Sequence, residues 1–191
     1  MMVAMAPKTK TMVNQLSVVA GMEALVRVRR RIHKADRLDG FVVGLSKRWV
    51  LLHVFDPDMF LDGYAALRLS DIRGVESLGG QDSFPLRALR HFGESRSVPD
   101  GVSLETIESL LASLAGKYPL LIIHVEQLDP QVCYVGKYVS ASKRSLRLLE
   151  INPDATWDAK PTKWPLKEIT RVEVGSRYAE ALHAVGGEPP A

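Results

Sequence analysis

The strongest constraint on what this chain can fold into is a segment that occurs twice. Gly40 to Asp62 reads GFVVGLSKRWVLLHVFDPDMFLD, and 96 residues later Gly136 to Asp158 reads GKYVSASKRSLRLLEINPDATWD. Nine of the 23 aligned positions are identical without a gap, where unrelated segments would share roughly one or two. The identities are a Gly, a Val, a Ser-Lys-Arg triplet, a Leu, a Pro-Asp pair and a closing Asp. We read an internal duplication, so whatever fold one copy takes, the other is expected to take as well.

Local patterning says which elements each copy contains. From Ala24 to Ile32, Val26, Val28 and Ile32 fall on one face and Arg27, Arg29 and Arg31 on the other, the alternation of a half-buried strand. A turn at Leu38-Asp39-Gly40 leads into a second strand, Phe41 to Leu45. Ser46-Lys47-Arg48 then forms a polar hairpin tip before a third strand, Trp49 to Phe55. Asp56-Pro57-Asp58 supplies turn chemistry, because Pro fixes φ and Asp bonds its own backbone. A fourth strand, Tyr64 to Leu69, one helical turn at Ser70–Asp71 and a short fifth strand from Val75 complete the unit. Leu120 to Leu128 answers Ala24 to Ile32, Ser142-Lys143-Arg144 repeats the hairpin tip, and Leu166 to Glu173 answers Leu69 to Glu76 after one inserted residue. Between the copies, Pro85 to Phe92 forms an amphipathic helical island with Ser83 as its cap. Ser103 opens a clearer helix to Ala115, with Ile107, Leu110, Leu111 and Leu114 as its apolar stripe.

Five short strands with a helical turn before the last, and the Leu-x-x-Ile-x-x-Val ending at Leu69-Ile72-Val75 and Leu166-Ile169-Val172, resemble small barrels of the Sm-like or Src-homology-3-like kind. The resemblance implies a mainly β chain with two duplicated five-stranded barrels and a helical linker. The expected organisation is a disordered leader over 1–20, a first barrel over 21–78 and a helical linker over 79–117. A second barrel follows over 118–176, then a short C-terminal helix and tail over 177–191. Sm proteins bind RNA through loops that include an Arg-Gly pair; Arg73-Gly74 looks similar, but Arg171 replaces that glycine in the second copy, so the family's site does not carry over.

The copies differ most on the third strand. Val50 and Leu52 align with Leu146 and Leu148 and should face both cores, whereas the opposite row is Trp49, Leu51, His53 and Phe55 in one copy but Ser145, Arg147, Leu149 and Ile151 in the other. An apolar row with Trp and Phe is costly to leave wet, at ~25 cal/mol per Å². It is therefore covered by the Ser103–Ala115 helix, by the other barrel, or by a protein partner or second copy. Recognition of a partner through Trp49, Leu51, His53 and Phe55 is the leading functional expectation: a non-catalytic adaptor. The alternative is nucleic-acid binding. It rests on Arg27, Arg29 and Arg31 along the first strand and on the two hairpin tips, Lys47-Arg48 and Lys143-Arg144.

Other classes find little to stand on. A net charge of +3 demands no polyanionic partner by itself, so only local clustering of cations argues for one. One cysteine, Cys133, excludes an internal disulfide, fits a reducing cytoplasm and is expected to be a buried, inert thiol. No stretch approaches the ~20 apolar residues of a membrane helix, and Pro7, Lys8, Lys10 and Glu23 interrupt any signal-like run near the start. The five histidines show no ligand spacing, and no metal or cofactor is expected. Ser140-Ala141-Ser142-Lys143 spells Ser-x-x-Lys, but it sits in a hairpin without the companion boxes of the enzymes that use it. No catalytic residue is assigned, and an enzyme is not expected.

Overall fold

The computed structural model describes residues 7–80 and 82–190. The chain is mainly β, and its ten described strands form one sheet rather than two closed barrels. Helix α1 (Pro7–Gly21) precedes β1 (Leu25–Arg30), β2 (Leu38–Leu45), β3 (Trp49–Asp56), β4 (Phe60–Arg68) and, after a single 3-10 turn at Leu69–Asp71, β5 (Ile72–Ser77). Helices α2 (Phe84–His91) and α3 (Ile107–Ala115) lie between the halves. Then come β6 (Leu121–His124), β7 (Cys133–Ala141), β8 (Ser145–Glu150), β9 (Thr162–Pro165), a 3-10 turn at Leu166–Glu168, β10 (Arg171–Val174) and α4 (Arg177–Gly186).

All pairings are antiparallel, in the order β5-β1-β2-β3-β4-β10-β6-β7-β8-β9. Each half contributes the same internal order, but the halves meet strand to strand. The free edge of β4 pairs with β10, Ala66 opposite Val172 and Leu67 opposite Arg171. This corrects the expectation of two closed barrels. Any strand edge offers the same N–H and C=O groups, and here the edge of β4 is satisfied by a strand more than a hundred residues away. The register also corrects the first-strand alignment: Val26 and Leu121 lie opposite Gly40 and Gly136, so these two residues correspond, and not Val26 with Ile122.

The repeated glycine has a steric cause. β2 and β7 each carry a bulge three residues on, between Val42 and Gly44 and between Tyr138 and Ser140, which bends the hairpin. At the crossing with the next strand, a Cβ on Gly40 would lie 2.5 Å from the His53 carbonyl oxygen, and one on Gly136 would lie 2.3 Å from that of Leu149. Both obstacles are backbone. Gly136→Ala is expected to cost about 1–3 kcal/mol, read as a lower urea midpoint, with a neutral result placing slack in the β7–β8 hairpin.

Side chains of both halves share a core. Met12 and Leu16 of α1 cover Val26, Val28, Val50, Leu52, Ala65 and Leu67. Leu110, Leu111 and Leu114 of α3 cover Leu121, Ile123, Leu146, Leu148 and Val172, and the same cluster takes in Trp49, Leu51 and Ala66 from the first half. α2 closes over Leu25, Phe41 and Phe55, and α4 over Leu120, Ile122 and Ile151. The expected disordered leader is corrected for its described part: from Pro7 onward it is a helix, anchored where Leu16 is fully buried, while positions 1–6 lie outside the described residues. The cap of α3 also moves. Thr106 and Ser109 form a reciprocal capping box, and the expected cap, Ser103, instead bonds Ser113 and Ser109.

Candidate nucleic-acid interface

The two hairpin tips are built by their serines. Ser46 Oγ accepts from the N–H groups of Arg48 (3.1 Å) and Trp49 (3.0 Å), and Ser142 Oγ accepts from those of Arg144 (3.3 Å) and Ser145 (3.2 Å). With the backbone polar groups satisfied inside the turn, Lys47, Arg48, Lys143 and Arg144 point outward and are exposed. Each tip is tied to the 3-10 turn of its own half: Leu69 donates to the Arg48 carbonyl (2.8 Å) and Leu166 to that of Arg144 (3.0 Å). Arg68 then bridges the halves. Its Nε donates to Asp71 Oδ2 (2.7 Å) and its Nη1 to the Lys167 carbonyl (2.8 Å).

These ties bring the tips together. A cleft of about 430 Å³ between the halves is lined by Lys47, Arg48, Arg68, Lys143 and Lys167, over an apolar floor that includes Ile107, Leu166 and Ile169. No carboxylate lines it. Among the described residues Lys47, Arg48, Lys143 and Arg144 make no ion pair, whereas Lys167 lies 3.3 Å from Glu168. Unpaired cations crowded on one rim repel one another, and a bound anion would relieve that repulsion. Arg68 and Lys167 were not singled out by the sequence reading. The signal lay in their position, flanking the repeated Leu that starts each 3-10 turn.

The arginine strand does not join this site: Arg27, Arg29 and Arg31 do not line the cleft. Arg27 donates through two nitrogens to Asp39 (2.8 and 2.7 Å), and that carboxylate raises its pKa further. Arg29 pairs with Glu76 at 2.8 Å, and Arg31 donates to the Ile72 carbonyl at 3.2 Å. Cross-strand partners on β2 and β5 use these groups internally.

The Trp49 row is likewise not a surface. Trp49, Leu51, His53 and Phe55 are 4%, 2%, 8% and 7% exposed. Trp49 and Leu51 lie under α3 and the second half, and Phe55 lies against Leu86 and Leu89 of α2. His53 stacks on Tyr64 with ring centroids 4.6 Å apart, its Nδ1 accepts the Ser97 N–H (3.1 Å), and burial lowers its pKa. The row needed a cover, and the chain itself provides it. Cys133 differs too: it opens β7 at the sheet surface and is exposed, not buried.

A buried ionic network locks the junction. Arg30 of β1 forms a bidentate pair with Glu126, just past β6; both side chains are essentially inaccessible, at 1% and 0%. Thr170 donates to Glu126 Oε2 (2.7 Å), Arg171 sits 3.7 Å from its other oxygen, and Arg171 also pairs with Glu173 at 2.9 Å. Burial pushes the Glu126 carboxyl up, but hydrogen bonds from Arg30 and Thr170 and the charges of Arg30 and Arg171 outweigh it and hold its pKa below the ordinary value. Every member has a structural partner, and no group of three or more His, Cys, Asp or Glu that could hold a metal occurs among the described residues. No described helix is long and apolar enough to cross a membrane. Comparison with protein families, curated proteins and solved structures finds no match for this chain.

Proposed function

We propose that the protein binds single-stranded nucleic acid, with phosphates held by the two Lys-Arg hairpin tips across the cleft between the halves. The observation that carries this reading is the convergence of Lys47 and Arg48 of one tip and Lys143 of the other on one carboxylate-free cleft, with Arg144 exposed beside Lys143. Four exposed cations without acidic partners suit a phosphate backbone, and the apolar floor suits the face of an unstacked base. Both hairpins are paired into the ten-stranded sheet along their strands, so only their tips project and neither is a free two-stranded ribbon for a duplex groove, which favours a single strand. Protein recognition through the Trp49 row, the other expectation, has no exposed row through which to act.

The test is a titration of fluorescent oligo-uridylate over a salt series. Four single-strand phosphate contacts give a log–log salt slope of about −2.8, which means a loss of about 50-fold in affinity between about 50 and 200 mM salt. Neutralising Lys47, Arg48, Lys143 and Arg144 to Gln together should flatten that slope and leave thermal unfolding unchanged, since all four side chains are exposed and unpaired. Absence of binding at the low-salt end would end the proposal.

A further inference from the structure

The face of the β8–β9 hairpin that points away from the core carries a second feature that the cleft does not use. Arg147 and Lys163 stand directly opposite each other across these strands, both exposed. Like charges in that position repel, and among the described residues neither makes an ion pair. The corresponding pair in the first half is Leu51 opposite Ala66, which is buried beneath α3 and the second half. The same face is thus closed and apolar in one half, open and basic in the other.

Another copy of the chain is a poor occupant for it. In the first half, the edge beside this face is sealed because the Arg68 N–H donates to the Thr170 carbonyl across the β4–β10 junction, at 3.2 Å. The residue that stands in the same place before the second 3-10 turn is Pro165, at the end of the sheet's edge strand, and it has no N–H to give. Proline and lysine on an edge strand oppose the addition of a further strand, and β9 carries both, Pro165 and Lys163. A polyanion meets no such obstacle. Ser145, the first residue of β8, follows directly after the Lys143-Arg144 tip and precedes Arg147 by two residues, so the tip stands between the cleft and this face.

We infer that the outer face of β8–β9 is a second phosphate-binding surface, continuous with the cleft, so that a single strand longer than the cleft runs from the hairpin tips onto Arg147 and Lys163. This inference rests on the nucleic-acid reading above. The test compares oligo-uridylates of about 6 and about 20 nucleotides, lengths chosen to fall within and beyond a binding site of single-fold size. Each is titrated over a salt series against the unaltered protein and the R147Q/K163Q variant. The expected result is unchanged binding of the short strand, with a salt slope for the long strand smaller by about 1.4, the loss of two single-strand phosphate contacts. The charge-preserving R147K/K163R variant should restore that slope. Thermal unfolding should not fall in R147Q/K163Q, because it removes a repulsion.

Unchanged long-strand binding by R147Q/K163Q overturns this inference and leaves the cleft standing. Loss of short-strand binding in that variant also overturns it, because the face would then not be a separate extension. If the unaltered protein binds neither strand, the cleft reading and this one fall together. Variant-sensitive binding to vesicles of anionic phospholipid, without any effect on the long strand, would assign the face to a membrane surface and overturn it as well.

Discussion

Glu126→Gln is expected to destabilise the protein by about 3–5 kcal/mol, because it leaves the guanidinium of Arg30 charged and buried opposite a neutral amide. Arg30 cannot relieve this by releasing its proton, and its side chain is 1% exposed, so water cannot replace the lost partner. Urea unfolding should show the loss as a lower midpoint at unchanged slope. Replacing both partners, as Arg30→Met with Glu126→Leu, should recover much of it, since a desolvated pair is replaced by apolar contacts. A loss below about 1 kcal/mol in Glu126→Gln would mean that the pair is hydrated in solution. The pH dependence follows from the same group. The folded pKa of Glu126 is lowered, so its contribution is fully present above the ordinary carboxylate range and is lost as pH falls through the folded value. The gap between the parent protein and Glu126→Gln should therefore close on acidification.

Trp49→Ala is the second large effect, about 3–5 kcal/mol, from truncating a large buried aromatic. Its position decides how that loss appears. Trp49 belongs to the first half, yet it is buried in the cluster formed by α3 and the second half. A cavity there weakens the contact between the halves as well as a local core. Limited proteolysis should accordingly open the connection between α2 and α3 in the variant before either half is cut. A variant of parental stability would place the Trp49 indole outside that shared core.

The alternation of Val26, Val28 and the arginines marked β1 correctly. So did the Ser-Lys-Arg turns and the Asp56 loop, where Asp56 Oδ1 accepts the Asp58 N–H at 2.8 Å. These are local signals, made by residues within one or two turns of each other. Helix α1 was not legible because its anchors are few: Met12 and Leu16 are its buried hydrophobic residues, and polar positions between them blur the stripe. Arg30 reads as one more cation on a basic strand. Only Glu126, brought in from the far side of the β10 junction, shows that it is an interior group. The candidate site divides in the same way. Both Lys-Arg tips were visible as exposed turns, but their convergence was not, and the Trp49 row was recognised as needing a cover without showing which element covers it.

The expected turn at Leu38-Asp39-Gly40 is the start of β2, whereas the sequence by itself determined the first-half strand order, the hairpin tips, and the contrast between Trp49-Leu51 and Ser145-Arg147. Each depends on periodicity, turn chemistry or side-chain size, which act over a few residues. The tertiary structure decided which edge β4 pairs with, which helix buries Trp49, and where the cations meet. Backbone donors and acceptors are alike on every strand edge, so the pairing of β4 with β10 is selected by the packing of α3, the Arg30–Glu126 pair and the apolar faces they bring together. Those forces act between residues far apart in the chain, and the chain order does not display them.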